Sequence, residues 1–237
     1  MSKRILVIVP AYNEQESIEN VYNALLKYSK GDGYELDALV VNDCSKDNTL
    51  EVLRKIKAMH LSLPVNLGIG GAVQAGFRYA YNNNYDFAIQ VDGDGQHPAE
   101  ELFKLIEPAL KNEADIIIGS RFLTKKGFQS SYARRLGIGF FTKLIKFLLG
   151  ITVYDTTSGF RLFNRDAIKL ASRYYPDEYP EPEVIVYFTK KGLKIKEVPV
   201  VMKERQGGVS SISPVKSIYY MIKVSLGILF VYFRFYK

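Results

Sequence analysis

Two aspartates separated by one glycine carry the clearest chemical signal in the sequence. Asp92 and Asp94 lie in the segment VDGDGQHP, directly after an apolar run. Carboxylates this close repel each other unless a cation lies between them. Hard oxygen ligands suit Mg²⁺ or Mn²⁺, and such an ion is commonly shared with substrate phosphates. Because Asp-Gly is also a common turn dipeptide, the segment alone leaves a metal site and a solvated turn equally open.

Arginines form the second set of candidate residues. Arg binds phosphate through two parallel hydrogen bonds, which Lys cannot do, so a reaction between two phosphate-bearing substrates calls for several arginines. Four of them lie within polar or glycine-containing motifs instead of on lysine-rich faces: Arg121, Arg135, Arg161 and Arg205. Surface ion pairing is the expectation for Arg54, Arg78, Arg165 and Arg173.

An alternation of strands and helices must position these side chains in the first half. Continuous apolar runs predict buried strands at 5–9, 36–41, 87–91 and 116–118, and helical spacing of apolar residues predicts helices between them. This order indicates an α/β fold with a mostly parallel sheet. Ligands bind such sheets beyond the carboxyl ends of the strands. We therefore expect the polar residues at 12–14, 42–47 and 92–96 to lie at one edge.

The second half is less regular. We predict a helix over 132–149, a strand over 152–163, a short helix after it, a turn at PDEYPEPE and a strand over 195–201. No linker divides the chain, so we expect one domain over 1–212, with a nucleotide and metal half (1–118) and an acceptor half (119–212). The apolar stretch 213–237 is expected to be a helix that contacts a membrane interface or another subunit.

Seven motifs together resemble glycosyltransferase family 2. In chain order they are VPAYNEQES, VVNDCSKDNT, NLGIGGAVQAGF, VDGDGQHP, GSR, DTTSGFRLFNRD and ERQGGVS, and they span residues 5–212. Within the family they are most similar to the dolichol-phosphate mannose synthase and polyprenyl-phosphate glycosyltransferase branch. The resemblance implies the GT-A fold, a Rossmann-like, mostly parallel sheet flanked by helices. It also implies an inverting, metal-dependent transfer of a sugar from a UDP- or GDP-linked donor to a polyprenyl or dolichyl phosphate.

The same resemblance implies roles for individual residues. The ion, Mg²⁺ or Mn²⁺, would be held by Asp92, Asp94 and Gln96. The nucleotide-sugar would contact Pro10, Ala11, Tyr12, Glu14, Asp43, Asn66, Gly71, Asp92, Gly93 and Arg205. Catalysis would use Asp94, Arg205 on the leaving diphosphate, and Asp155 as base or acceptor-positioning group. The acceptor phosphate would meet Arg121, Arg134, Arg135, Arg161 and Ser210. The chain departs from the branch at Ile138, where Ser is common, and at Ser211, where Lys is common.

Charge is divided unevenly along the chain and suggests where the partners bind. Residues 1–118 carry 11 Lys/Arg and 17 Asp/Glu, net −6, whereas 119–237 carry 21 and 8, net +13. The basic half mixes aromatic, aliphatic and basic residues at 134–149 and 214–237, a pattern typical of helices in a bilayer interface. We expect peripheral or monotopic attachment to an anionic membrane, at its cytoplasmic face, with a homo-oligomer or a membrane-protein partner as further possibilities. Packing of both helices against the domain or a second subunit is the other interpretation.

Composition excludes several classes of protein. With 47% hydrophobic and 24% charged residues, the chain is neither disordered nor polytopic in a membrane. One cysteine excludes a disulfide framework, and no signal peptide is expected at the start. Three other functions stay open: sugar transfer to a polysaccharide or glycolipid hydroxyl, nucleotidyl transfer, and a non-catalytic basic membrane module. Nucleic acid is not an expected partner, because aromatic-interleaved RNA motifs are missing.

Overall fold

The structure is a computed structural model that describes residues 2–124, 132–177, 180–203 and 214–234, with the backbone alone described at 132–134 and 214–218. The strands are β1 (Lys3–Ala11), β2 (Lys30–Gly31), β3 (Tyr34–Asn42), β4 (His60–Ser62), β5 (Phe87–Gln90), β6 (Ile116–Ser120), β7 (Arg161–Asn164) and β8 (Ile195–Pro199). The helices are α1 (Ile18–Leu26), α2 (Thr49–Lys55), α3 (Gly68–Asn82), α4 (Leu102–Leu110), α5 (Tyr132–Leu149), α6 (Arg165–Arg173), α7 (Pro180–Lys190) and α8 (Pro214–Arg234). A 3₁₀ turn at Ala99–Glu101 precedes α4.

All eight strands belong to one sheet. Its order is β2-β3-β1-β5-β7-β6-β8, with β4 beside β3. β1 runs parallel to β3 and β5, and β6 runs parallel to β8, whereas β7 lies antiparallel between β5 and β6. The predicted α/β fold is confirmed. The sheet is continuous through both halves of the chain, and the division at residue 118 stays a prediction.

Apolar layers cover both faces of the sheet. Along β1, Ile5, Val7 and Val9 pack towards α1 and α4, while Leu6 and Ile8 pack towards α3. All five side chains are fully buried. A strand covered on both faces has apolar residues at every position, which is why the sequence gives a continuous run instead of an alternating one.

Two predictions for the second half are wrong. The strand expected over 152–163 is a strand only at its end, because the Arg161 guanidinium binds the carbonyls of Thr156 and Ser158 and folds the segment back on itself. The turn expected at PDEYPEPE gives way to α7, which begins at Pro180. Proline and acidic residues suit the first turn of a helix. Residues 184–188 of α7 are all buried, so the sequence has no amphipathic spacing there.

The C-terminal helix α8 packs on α7 along one side. Val224, Ile228 and Val231 are buried in the same core as the buried residues of α7. Gly227 allows a close approach, since a Cβ there would meet the Glu183 carboxylate. Among the described helices, none combines the length and the apolar character needed to cross a bilayer.

Candidate active site

The carboxyl ends of β1, β3 and β5 form one edge of the sheet. Ala11 pairs with Asn42, and Ile8 pairs with Gln90 in the neighbouring strand. The polar segments that follow these strands therefore lie side by side, as the alternation of strands and helices predicts. The Asp43 N–H also donates to the Ala11 carbonyl at 2.9 Å, which extends the pairing beyond the strands.

Cross-loop hydrogen bonds fix the first two polar segments to each other. The Asn13 N–H donates to Ser45 Oγ at 3.0 Å, and Asn13 Oδ1 accepts from the Lys46 N–H at 2.8 Å. The Glu14 N–H donates to Thr49 Oγ1 at 2.9 Å. Asn13 has a φ of 56°, a region that Asn tolerates better than most residues. The backbone beside Tyr12 and Glu14 is thus held in place before any ligand binds.

Gly93 brings the metal-binding candidates against the first segment. A Cβ at Gly93 would lie 3.0 Å from the Pro10 carbonyl oxygen and 3.6 Å from Glu14 Cγ. The Tyr12 side chain, which follows Pro10 and Ala11, is 42% exposed at this edge. The structure therefore brings together Pro10, Ala11, Tyr12, Glu14 and Gly93, all predicted to contact the nucleotide-sugar.

Asp43 and Asn66 position the glycine-rich start of α3. Asp43 is buried, and its Oδ1 accepts from the Leu67 N–H at 2.7 Å. The Asp43 carbonyl accepts from Asn66 Nδ2 at 3.1 Å, and Asn66 Oδ1 accepts from the Gly68 N–H at 3.2 Å. Gly71 lies in the next turn, where a Cβ would be 2.5 Å from Leu67 Cβ. These predicted nucleotide contacts form one bonded unit at the end of β3.

The two aspartates follow β5 in a tight turn. Asp94 is buried, and its Oδ1 accepts from the Gln96 N–H at 3.0 Å. Gly95 between them has a φ of 77°, which glycine adopts without strain. The Asp92 side chain is partly exposed, with 28% of its area open to solvent. The turn thus directs Asp92, Asp94 and Gln96 around a small volume.

The donor set of this turn fits a hard cation that is completed by a substrate. Asp92 Oδ1 is buried and has no hydrogen-bond partner among the described residues, so it is an oxygen ready to accept a ligand. Within the same residues, no three His, Cys, Asp or Glu side chains come together to hold an ion. Two carboxylates therefore have to share the ion with other oxygen atoms. Mg²⁺ is bound in this way, through one or two carboxylates, waters and phosphates.

Arg121 and Asp155 form a buried ion pair beside the turn. Arg121 Nε donates to Asp155 Oδ2 at 2.7 Å and Arg121 Nη2 donates to Oδ1 at 2.6 Å, while the Arg121 N–H also bonds Oδ2 at 3.0 Å. Arg121 is 5% exposed and Asp155 is fully buried. Burial alone lowers the pKa of the Arg121 guanidinium, but the hydrogen bonds and charge of Asp155, with a contribution from Asp92, outweigh it and raise that pKa.

Glu197 of β8 anchors the loop that carries Asp155. Its Oε2 accepts from the Tyr154 N–H and its Oε1 from the Asp155 N–H, both at 2.8 Å. Burial, and to a smaller extent the charge of Asp155, raise the pKa of the Glu197 carboxyl. The sequence analysis missed Glu197 because its partners lie more than forty residues away in the chain and no local pattern links them.

Arg161 lies beneath the site and not in it. Its guanidinium is fully buried and donates to the carbonyls of Ser158, Glu181 and Thr156 at 2.7–3.1 Å. Burial lowers the pKa of this guanidinium. The structure therefore does not bring Arg161 to the acceptor phosphate. Of the remaining candidates, Arg135 is exposed at the start of α5, and the Arg134 side chain, Arg205 and Ser210 lie outside the described residues.

A family model assigns the chain. The model for glycosyl transferase family 2 matches residues 6–170. The chain belongs to glycosyltransferase family 2. The predicted family, and with it a glycosyltransferase activity, is confirmed.

Relatives of this glycosyltransferase lie in the predicted branch. It is 32% identical over 221 residues to the UDP-N-acetylglucosamine–dolichyl-phosphate N-acetylglucosaminyltransferase of Methanococcus voltae, with 84% of this chain and 85% of the relative covered. It is 31% identical over 222 residues to the undecaprenyl-phosphate mannosyltransferase of Micrococcus luteus, with 89% and 88% covered.

A solved structure confirms the GT-A fold of this glycosyltransferase. Glucosyl-3-phosphoglycerate synthase from Mycobacterium tuberculosis, crystallised with Mn²⁺, UDP-glucose and phosphoglyceric acid, superposes with a TM-score of 0.73. The match covers 97% of this chain and 80% of that one at 20% sequence identity. At this identity the likeness concerns the fold alone.

Proposed function

We propose that this glycosyltransferase transfers a hexose from a UDP- or GDP-linked donor to a polyprenyl or dolichyl phosphate, with inversion at the anomeric carbon and with a divalent cation, Mg²⁺ or Mn²⁺. The observation that carries the proposal is the buried Arg121–Asp155 pair at the same sheet edge as Asp92. It puts a fixed guanidinium, the preferred partner of a phosphate, beside a carboxylate turn suited to a cation and a diphosphate. The named relatives use dolichyl and undecaprenyl phosphate, which agrees with this acceptor class.

The strand order sets the distance between the two halves of the site. Gln90 of β5 and Ile118 of β6 both pair with Arg161 of β7, which lies between them. Two strand spacings separate β5 from β6, about 10 Å. Asp92 follows β5 and Arg121 follows β6, so one sugar ring fits between a diphosphate held at Asp92 and a phosphate held at Arg121.

On the donor side, the joined loops hold the nucleotide and the turn holds the diphosphate. The residues proposed for the nucleotide-sugar are Pro10, Ala11, Tyr12, Glu14, Asp43, Asn66, Gly71, Asp92 and Gly93, with Arg205 on the leaving diphosphate. Asp92, Asp94 and Gln96 would hold the cation, which when bound supplies positive charge to the departing nucleoside diphosphate. Asp94 and Gln96 are already joined by a hydrogen bond that keeps the turn closed.

On the acceptor side, Arg121 binds the phosphate together with Arg134 or Arg135 and Ser210. A phosphate monoester has its second pKa near ~6, so it is largely dianionic at neutral pH and attacks without a base. A sugar hydroxyl needs a base worth roughly 10²–10⁴-fold in rate. Both Asp155 oxygens are engaged by Arg121, so this carboxylate is suited to position Arg121 and poorly suited to take a proton. The lipid phosphate is therefore favoured over a hydroxyl acceptor.

A paired acceptor assay tests the proposal. The protein is incubated with radiolabelled UDP-glucose, UDP-N-acetylglucosamine or GDP-mannose, with Mn²⁺ or EDTA, and with either polyprenyl phosphate or polyprenol of the same length. We expect label in the lipid extract only with polyprenyl phosphate and Mn²⁺. Equal labelling of polyprenol, or labelling of a polysaccharide in place of the lipid, would refute the lipid-phosphate acceptor. Full activity in EDTA would refute the cation.

We further propose that α5 and α8 bind an anionic bilayer at its cytoplasmic face. The two helices are neighbours, since the Phe141 and Tyr220 rings lie 5.9 Å apart and a Cβ at Gly137 would touch Met221 Sδ. Large apolar side chains line the outer face of each helix at helical spacing and are 48–86% exposed: Leu136, Phe140 and Phe147 on α5, and Tyr219, Ile222, Leu226, Phe230 and Phe233 on α8. We call these eight residues the apolar stripe. The arrangement is that of helices lying in an interface.

Charge favours lipid as the occupant of the apolar stripe. Residues 116–154 and 205–237 contain no Asp or Glu, although they carry twelve Lys and Arg. Lys143, Lys146, Lys223 and Arg234 accompany the stripe on the two helices. Each basic residue near an anionic leaflet contributes about 1 kcal/mol, and the cytoplasmic leaflet is the anionic one.

Vesicle flotation with matched variants tests the bilayer. Phe147→Ser and Phe230→Ser remove members of the stripe, whereas Phe103→Ser removes an aromatic residue that is 54% exposed on α4, on the opposite side of the sheet. We expect the stripe variants to leave phosphatidylglycerol vesicles at lower salt than wild type and Phe103→Ser to match wild type. Equal flotation of all three variants would refute the surface. A stripe-dependent dimer in sedimentation, without vesicle binding, would assign the stripe to a second copy instead.

A further inference from the structure

His97 lies directly behind the aspartate turn and contacts the backbone of Asp92. The Asp92 N–H donates to His97 Nδ1 at 3.0 Å. Because Nδ1 accepts this bond, its lone pair is free of a proton and the ring N–H is on Nε2. Nε2 lies 3.8 Å from Asp92 Oδ2, so one imidazole faces both the main chain and the carboxylate of the same aspartate.

The imidazole itself is held rigidly. Its side chain is 3% exposed, and the ring stacks on Phe160 with centroids 5.0 Å apart and planes at 16°. Phe160 is fully buried and follows Gly159, where a Cβ would lie 3.2 Å from Asp92 Oδ1. The same stretch of chain therefore supports the histidine ring and passes close to the aspartate carboxylate.

We propose that His97 is a positioning residue that fixes Asp92 in the orientation needed to hold the divalent cation, and thereby sets the affinity of the turn for a cation–nucleoside diphosphate complex. The inference rests on the proposed metal-dependent function. It differs from the sequence expectation, in which His97 is only a turn residue. A histidine that merely filled space would have no need of an acceptor aimed at the Asp92 N–H, and a phenylalanine would replace it.

Two substitutions separate the hydrogen bond from the packing. His97→Phe keeps a flat ring for Phe160 to stack on but removes the acceptor of the Asp92 N–H. His97→Asn loses the ring but keeps an acceptor, since the Asn side-chain oxygen can take the place of Nδ1. If orientation of Asp92 is the function, the asparagine variant binds the cation more tightly than the phenylalanine variant. If packing is the function, the order is reversed.

The measurement is binding of Mn²⁺, followed by the loss of the free-ion signal in electron paramagnetic resonance, with UDP or GDP present. Removing a group that orients a metal ligand commonly weakens metal binding 10- to 100-fold. We expect His97→Phe to weaken Mn²⁺ binding about 10-fold or more and His97→Asn to recover part of that loss. The KM for polyprenyl phosphate should stay at the wild-type value in both, because Arg121 is untouched.

The possible failures are distinguishable. Mn²⁺ binding by His97→Phe within twofold of wild type, or binding by His97→Asn no tighter than by His97→Phe, would overturn the inference and leave the proposed function standing. A wild-type protein that binds no Mn²⁺ with either nucleotide would refute the metal-dependent function and the inference with it. If His97→Phe does not fold, Phe160→Leu replaces it. That variant removes the stacking partner but keeps Nδ1, and Mn²⁺ affinity unchanged from wild type would again overturn the inference.

Discussion

Replacing Asp155 by Asn tests whether the Arg121–Asp155 pair holds a charge for the acceptor. The change removes the negative charge that faces Arg121, a guanidinium only 5% exposed, and leaves that cation unpaired inside the protein. Breaking a buried ion pair from one side costs about 3–5 kcal/mol, a large part of the 5–15 kcal/mol by which domains are stable. We expect Asp155→Asn to lower the free energy of unfolding by that amount.

A double variant separates stability from function. In Arg121→Met/Asp155→Asn no charge is left unpaired, and the Asn oxygen can still accept the residue-121 N–H that Asp155 Oδ2 now accepts at 3.0 Å. Replacing both members of a buried pair is often nearly neutral, so the remaining loss is about 1–3 kcal/mol for the polar atoms of the amide. The double variant should therefore be more stable than the single one, yet it should lose binding of polyprenyl phosphate because the guanidinium is gone.

Urea unfolding followed by far-UV circular dichroism measures both variants, since the chain has no Trp for fluorescence. Transfer to polyprenyl phosphate is assayed at a temperature where both are folded. The reasoning is refuted if Asp155→Asn costs less than about 1 kcal/mol, or if the double variant is no more stable than the single one. It is equally refuted if the double variant retains wild-type KM for the lipid phosphate.

Two further predictions concern the frame around the site. Gly70→Ala should lower the free energy of unfolding by about 1–3 kcal/mol, because its Cβ would collide with the Pro176 carbonyl oxygen; Gly139→Ala, with open space around it in α5, should raise that free energy by about 0.5–1 kcal/mol, both measured by urea unfolding. Burial raises the pKa of Glu197, so the folded protein binds that proton more tightly than the unfolded chain, and stability should fall as pH rises from the ordinary Glu range through the raised pKa. Glu197→Gln should remove this slope from a series of unfolding curves across pH; an unchanged slope would contradict the assignment.

The sequence was informative wherever a local pattern and a global requirement coincide. The runs at β1 and β3 are apolar at every position because both faces of the sheet are covered, and the aspartates follow β5 because ligands bind at strand ends. It failed where an environment imposes the structure. α7 has apolar residues on all sides and so has no helical period. Arg161 looks like a phosphate ligand until the carbonyls that surround it are known.

The position of β7 explains why one edge can serve two phosphate groups. If β5 and β6 were adjacent, Asp92 and Arg121 would lie about 5 Å apart and would pair with each other, leaving neither for a substrate. The antiparallel β7 between them doubles that distance, and Arg161 at its start fills the interior below without projecting into the gap. Asp155, ten residues before the end of β7's first turn of chain in sequence terms only by six from Arg161, then supplies the counter-charge that Asp92 would otherwise provide. Arg121 is thereby free of the metal turn, and Asp92 is free to bind a cation.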